Sequence, residues 1–265
     1  MAIILTKILI AIKIIFKLKN WTCPIFHYFN LKNNECVVEF KNGIKCIIRN
    51  KSDSLVFLEN FFLDSYDREE GFTIKENDTV VDIGAHIGYF TIYAAKKANH
   101  GRVLSFEPSQ ESFSVLEKNL KINNIQNVNI ENIGVRSESG TSILYVDRDN
   151  EIGNSMFSND KNLIKENVQV TSISEIIKKY KIESIDLLKL DCEGAEYEII
   201  LGLSTDVVNK IKRITIEVHK IDNFDITDIE KFLINNNFQV KTEYLLSESD
   251  TSWPMLYAKN MKFNT

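Results

Sequence analysis

The sequence predicts an α/β fold built around a parallel, doubly wound sheet, and three observations predict it. Five short apolar runs, at 79–83, 103–106, 128–133, 185–190 and 213–218, lack strict alternation and so suit strands buried on both faces. Helical patterns stand between most of them, as in repeated β-α units. The last two apolar runs, at 238–245 and 255–259, follow one another without a helix, which adds an antiparallel hairpin to the sheet. A chain of 265 residues that is 44% hydrophobic and 26% charged is globular and long enough for one well-packed domain with an appendage.

The amino terminus is charged differently from the rest. Residues 1–34 hold five lysines and no acidic side chain, so they carry +5, while residues 35–265 carry −10. The run 2–19 is apolar, but its lysines leave no uncharged piece near the ~18–20 residues that span a bilayer. It has no unbroken apolar region and no small-residue cleavage site, which excludes a secretory signal. On a helical wheel Thr6, Lys7, Lys13 and Lys17 share about a third of the circumference. Residues 1–30 are therefore expected to form a basic amphipathic helix. Its first 20 residues would either lie in a membrane interface or pack on the domain with snorkelling lysines.

Residues 31–76 read as a lead-in. In 36–49 two apolar runs flank Asn42-Gly43, a dipeptide that tolerates positive φ at both centres of a type I′ turn, so a β-hairpin is predicted. Residues 53–67, rich in Leu and Phe, predict a helix. Beyond the first strand of the parallel set, a helix begins near Tyr89. Ser109 caps another that carries Phe113, Leu116 and Leu120 at helical spacing, and Ser172 with Glu175 forms a capping box for a third. A further helix falls near 228–235. The one long irregular stretch, 147–167, carries Gly153, Asn154, Ser155 and Phe157 and is the candidate acceptor lid.

Composition excludes several functions. A net charge of −5 argues against a nucleic-acid partner, which would call for a basic face. Cys23, Cys36, Cys46 and Cys192 contain no C-x-x-C pair, so neither a zinc ribbon nor a dithiol redox site is expected. They read as reduced, buried cysteines of a cytoplasmic protein with membrane association confined to the amino terminus.

The most specific signal is a nucleotide-binding constellation. Asp82 ends the first strand of the parallel set, Gly84, Ala85 and Gly88 form the turn after it, and Tyr89 opens the next helix. Such glycines let the backbone turn tightly and bring a ligand close to a helix amino terminus. Glu107, followed by Pro108, stands at the tip of the second strand, 25 residues past Asp82, where a carboxylate can accept from both ribose hydroxyls. The spacing Gly84-x-x-x-Gly88 lacks the third glycine that a pyrophosphate requires. Adenosine without pyrophosphate fits better, and S-adenosylmethionine is such a ligand.

The segments VVDIGAHIGYFT (80–91), VLSFEPS (103–109), IDLLKLDCEGAEYEIILG (185–202) and ITIEVH (214–219) resemble the FkbM-type S-adenosylmethionine-dependent methyltransferases over about residues 55–260. The resemblance implies a class I methyltransferase domain at 77–262, with a Rossmann-like seven-stranded sheet that ends in an antiparallel hairpin. It implies an O-methyltransferase that acts on a hydroxyl of a sugar or glycan, or of a secondary metabolite. On this resemblance Asp82, Gly84 and Gly88 form the methionine-side turn, Glu107 holds the ribose, and Asn132, where relatives often have Asp, lies near the adenine. The alternatives are an NAD-dependent oxidoreductase and a non-catalytic binding protein of the same fold.

Ligands of open α/β sheets bind outside the carboxyl ends of the strands. Asp191, Glu193 and Glu196 follow the fourth strand there, and Glu217 and His219 end the fifth. A hydroxyl must lose its proton during methyl transfer, so Asp191 and His219 are the candidate bases, with Glu193 beside them. Glu196 is expected to cap the following helix and His86 to serve the turn. Carboxylates with one histidine can hold a hard cation, but nothing in the spacing requires one and no metal is expected.

Overall fold

The computed structural model describes residues 12–31, 34–62, 66, 69–146, 155–156, 163–244 and 254–263. Helix α1 (Thr22–Tyr28) leads into the hairpin β1 (Cys36–Glu39) and β2 (Lys45–Ile48), then α2 (Lys51–Phe62). The main domain follows as β3 (Thr79–Ile83), α3 (Tyr89–Lys97), β4 (Arg102–Phe106), α4 (Gln110–Ile122) and β5 (Val128–Glu131). Next come β6 (Gly134–Arg136), β7 (Gly140–Val146), β8 (Ile164–Ser172), α5 (Ile173–Lys179), β9 (Leu187–Leu190), α6 (Glu196–Leu201), α7 (Thr205–Val208) and β10 (Arg213–Glu217). Helix α8 (Ile226–Asn235) precedes β11 (Phe238–Tyr244) and β12 (Pro254–Asn260).

Seven strands form one sheet in the order β11-β12-β10-β9-β3-β4-β5. The five expected strands are parallel, and β12 inserts antiparallel between β10 and β11. This is the class I methyltransferase sheet, doubly wound with its closing hairpin. The chain runs outward from β3 through β4 to β5, then crosses back to β9 on the other side of β3. The β3/β9 seam is thus the switch point where such sheets open a ligand crevice. Strands β3, β9 and β10 are almost wholly buried, as apolar runs without alternation require.

Caps follow sequence chemistry. Ser109 Oγ accepts the Ser112 N–H at the start of α4, Ser172 Oγ accepts the Glu175 N–H at the start of α5, and Asp225 with Asp228 forms a reciprocal box on α8.

Several expectations change. A three-stranded sheet, β6-β8-β7, stands between β5 and α5. Strand β8 is polar and buries only one of its nine residues, so it lacks the apolar signature of a core strand. It claims Ile164 to Asn167 from the predicted irregular stretch, of which 147–154 and 157–162 lie outside the described residues. The hairpin forms, but its turn has three residues. Phe40 O accepts from Gly43 N, Phe40 N donates to Ile44 O, and only Gly43 has positive φ, at +90°. That is the type I turn with a left-handed third residue rather than type I′. The amino terminus is not one helix: residues 12–17 are helical, Leu18 then bridges Phe40, and α1 starts afresh at Thr22. Residues 1–11 lie outside the described set. Cys23 on α1 and Cys36 on β1 form a disulfide, with Cα atoms 6.7 Å apart, because α1 folds back on the hairpin. This corrects the expectation of four reduced cysteines. Cys46 and Cys192 are free thiols.

The amino-terminal elements pack on the main domain. Leu18, Val38, Phe40, Phe57 and Phe62 share one core with Ile87, Tyr89, Ile92 and Leu116 of the α3–α4 side. No helix among the described residues is long and apolar enough to cross a membrane.

Candidate active site

A cavity opens at the carboxyl ends of β3, β4, β9 and β10, at the switch point. Gly84, Glu107 and Pro108 form one wall, and Asp191, Glu193 and Glu217 the other. Val56 and Glu59 of α2, Tyr66, and Val135, Leu144 and Met156 near the small sheet complete it. The two walls thus present four carboxyl groups, and Glu59 adds a fifth to the lining.

The first wall is held by backbone. Gly84 has φ +73°, and a Cβ there would lie 1.7 Å from the Asp191 carbonyl oxygen, so only glycine fits the seam. Its carbonyl accepts from Lys189 Nζ at 2.7 Å. Glu107 is buried, and its two oxygens accept the His86 and Ser109 N–H groups at 2.8 Å each. Burial pushes its carboxyl up to about 7, against those two bonds. Each oxygen keeps a further acceptor site. His86 does more than serve the turn: it also lines the cavity, and burial lowers its imidazole to about 4, so it is neutral.

Other predicted cofactor residues stand behind this wall. Asp82 is fully buried, accepts from Thr91 at 2.6 Å and faces Lys189 at 3.2 Å. Ala85 donates its N–H to Phe106 O. Gly88, at φ +88°, starts α3, and its missing side chain makes room for Leu116. Tyr89 turns away to donate to Ile47 O at 2.5 Å within an aromatic cluster. Asn132 donates to the carbonyls of Glu107 and Pro108, so it fixes the strand-tip turn instead of facing the cavity. None of these five lines the cavity; their side chains and backbone groups pack behind it.

The second wall is assembled from side chains. Tyr66 donates to Asp191 Oδ2 at 2.7 Å and reaches Glu217 Oε2 at 3.2 Å. Lys189, buried under Tyr66, lies 3.5 Å from Asp191 Oδ2. Burial would push Asp191 up, but the charges of Lys189 and His219 and the Tyr66 bond bring it below its ordinary range. It is therefore ionised and a weak base. Glu217 is pushed up to about 8 by burial and then by the charge of Asp191, and burial takes Glu193 to about 8 as well. Glu193 sits at φ +52° in the tight turn after β9. Glu196 opens α6 but does not cap it: its carboxylate accepts the Cys192 N–H of the preceding turn at 2.9 Å, and the helix has no side-chain cap.

His219, the other candidate base, is set back from the cavity. It is buried behind Glu193, with Nδ1 3.0 Å from Glu196 and Nε2 3.4 Å from Glu193, and does not line the cavity. Burial alone would lower its imidazole, but Glu196, Glu193 and Asp191 raise it well above its ordinary value. An imidazolium clamped by two carboxylates has no lone pair for a proton. One ring nitrogen of His219 and the carboxylates of Asp191 and Glu193 lie within 4.8 Å of one another, a set that could hold a hard cation only after the imidazole lost its proton, although the sequence led us to expect none. Sequence reasoning missed Tyr66, Lys189 and Glu59. A lysine inside an apolar strand, LLKL, was the available sign of a buried charge that needs partners.

The family model for the methyltransferase FkbM domain matches residues 82–240, more than half of the chain. Methyltransferase sdnD of Sordaria araneosa is 26% identical over 174 residues, covering 54% of this chain and 67% of that protein. The 31-O-demethyl-FK506 methyltransferase FkbM of Streptomyces tacrolimicus is 22% identical, covering 76% of this chain and 88% of its own length. Hexuronic acid methyltransferase AglP of Haloferax volcanii is 24% identical, covering 58% and 62% respectively. The chain belongs to the FkbM methyltransferase family. It is a methyltransferase.

Proposed function

We propose that the chain moves the methyl group of S-adenosylmethionine to a hydroxyl of a sugar or glycan, or of a hydroxylated secondary metabolite. The observation that carries this reading is the cavity at the β3/β9 seam, where a glycine cradle and a ribose-competent carboxylate face three further carboxyls. S-adenosylmethionine brings a sulfonium and an ammonium, and a cavity lined by acidic groups favours that charge. The third glycine that the pyrophosphate of NAD needs is absent.

When bound, S-adenosylmethionine supplies an electrophilic methyl group on its sulfonium. The chain supplies position and a proton acceptor. Gly84 lets the ligand approach the strand tip, and Glu107 accepts from the ribose hydroxyls. Alignment of this kind can contribute ~7–11 kcal/mol to methyl transfer. Glu217, which titrates at about 8, takes the acceptor hydroxyl's proton. It is a better-matched base than ionised Asp191, whose negative charge would attract the cationic donor and whose bond to Tyr66 holds that hydroxyl near Glu217. His219 keeps Glu193 and Glu196 in place as a buried cation. Two relatives are named for acceptors of the proposed kind, a demethylated FK506 and a hexuronic acid.

Incubation of the purified chain with S-adenosylmethionine labelled in its methyl group and a panel of glycans and polyols tests the reading. The expected result is label on one acceptor oxygen. Label on nitrogen or carbon, or on no hydroxylated acceptor, would overturn it.

A further inference from the structure

We infer that the amino-terminal elements dock reversibly on an anionic lipid bilayer. Among the described residues fourteen large hydrophobic side chains are exposed, and eight of them fall between Ile12 and Val37. Phe16 and Leu31 are 71% and 72% exposed, and Phe29 is 63% exposed. They do not belong to a loose tail. The same segment buries Ile14, Leu18 and Cys23 in the core shared with α3 and α4, and the Cys23–Cys36 disulfide ties α1 to the hairpin. A packed scaffold therefore holds aromatic and aliphatic side chains in water, a cost that a binding surface explains.

Charge identifies the occupant. Residues 1–34 carry +5 with no acidic side chain, whereas the rest of the chain carries −10. Cations and rings interleave on this region. Lys41 lies over the Phe16 ring at 6.0 Å, Lys17 over Phe62 at 5.4 Å and Lys51 over Tyr28 at 6.0 Å. Lys19 is matched by Glu39 at 2.6 Å, while Lys13 and Lys17 stay exposed on the helical piece that carries Ile12, Ile15 and Phe16. Apolar and aromatic groups framed by lysines suit the boundary between acyl chains and anionic headgroups, where rings enter and ammonium groups stay at the surface. The rest of the molecule, being acidic, is repelled by the same surface, which orients the docking. Helix α2, packed in that core, also contributes Val56 and Glu59 to the cavity, so docking brings the cavity close to acceptors held in the membrane.

The test uses the full chain without cofactor and is independent of the methyl-transfer reading. Trp21 and Trp253 are the two tryptophans, so Trp253→Phe leaves Trp21 as the sole reporter. Vesicles of phosphatidylcholine alone are compared with vesicles of phosphatidylcholine mixed with phosphatidylglycerol. Co-sedimentation with the mixed vesicles is expected, with a blue shift of Trp21 emission and weakening by salt. The exposed pair Phe16→Ser and Leu31→Ser should lower partitioning by roughly 10-fold or more. Lys13→Glu with Lys17→Glu should remove the preference for phosphatidylglycerol. All these variants should stay folded, with the circular dichroism spectrum of the wild type. Absence of binding to either vesicle, or binding indifferent to both pairs, overturns the inference. Self-association that Phe16→Ser abolishes, without vesicle binding, overturns it in favour of a second copy.

Discussion

The two walls of the cavity are built by different means. On the β3–β4 wall the groups that face the ligand are held by neighbouring backbone, as when Glu107 takes the N–H groups of His86 and Ser109. On the β9–β10 wall they are held by side chains from distant parts of the chain. Tyr66 reaches Asp191 across 125 residues and Glu217 across 151. A local backbone device can be written in a short motif and tolerates little variation. A long-range assembly of charges sets protonation states, and its members are exchangeable only as a group. The first wall should therefore govern binding and the second turnover.

The seam between the walls should be the most sensitive place. Gly84→Ala puts a Cβ against the Asp191 carbonyl at a left-handed backbone. It should cost more than about 4 kcal/mol of stability in denaturant unfolding, and the surviving folded protein should not bind S-adenosylmethionine. A stable, binding-competent variant would show that the walls are not in contact there.

Turnover separates the walls next. Glu217→Gln should lower kcat by ~10²–10⁴ while leaving cofactor affinity nearly unchanged. In the wild type, kcat/KM should rise with pH through about 8 as Glu217 ionises, and the variant should lose that limb. The bound sulfonium favours the ionised carboxylate, so the limb in kcat should lie at lower pH. A limb retained in Glu217→Gln would transfer the base role to Glu193.

Affinity gives the converse. Glu107→Ala should weaken S-adenosylmethionine binding by ~10–150-fold, the cost of losing a charged acceptor of ~1.5–3 kcal/mol, with saturated turnover largely kept. The smallest effect should come from Asn132→Ala, about 1 kcal/mol of stability with affinity nearly unchanged, because Asn132 does not line the cavity and its amide bonds two backbone carbonyls. A loss of affinity as large as that of Glu107→Ala would restore Asn132 to the adenine side.

The same contrast explains what could be read from sequence. The parallel strands, the Gly84 turn and Glu107 were legible because apolar runs, glycines and a strand-tip acid are local signals. The partition of that motif was not legible: Asp82, Gly88 and Tyr89 stand in it like ligand-binding residues, but face Lys189, Leu116 and Ile47. The surroundings of His219 were not legible, because Glu193 and Glu196 meet it only in three dimensions. Strand β8 was missed because it carries polar residues and buries only one of its nine residues, and Tyr66 because nothing beside it in sequence marks its partners.

The central claim is that a carboxyl-lined cavity at the β3/β9 seam takes the cationic methyl donor. Calorimetric titration of the wild-type chain with S-adenosylmethionine and, separately, with NAD tests it directly. Saturable binding of S-adenosylmethionine with none of NAD is the predicted result. Binding of NAD with no binding of S-adenosylmethionine would contradict it.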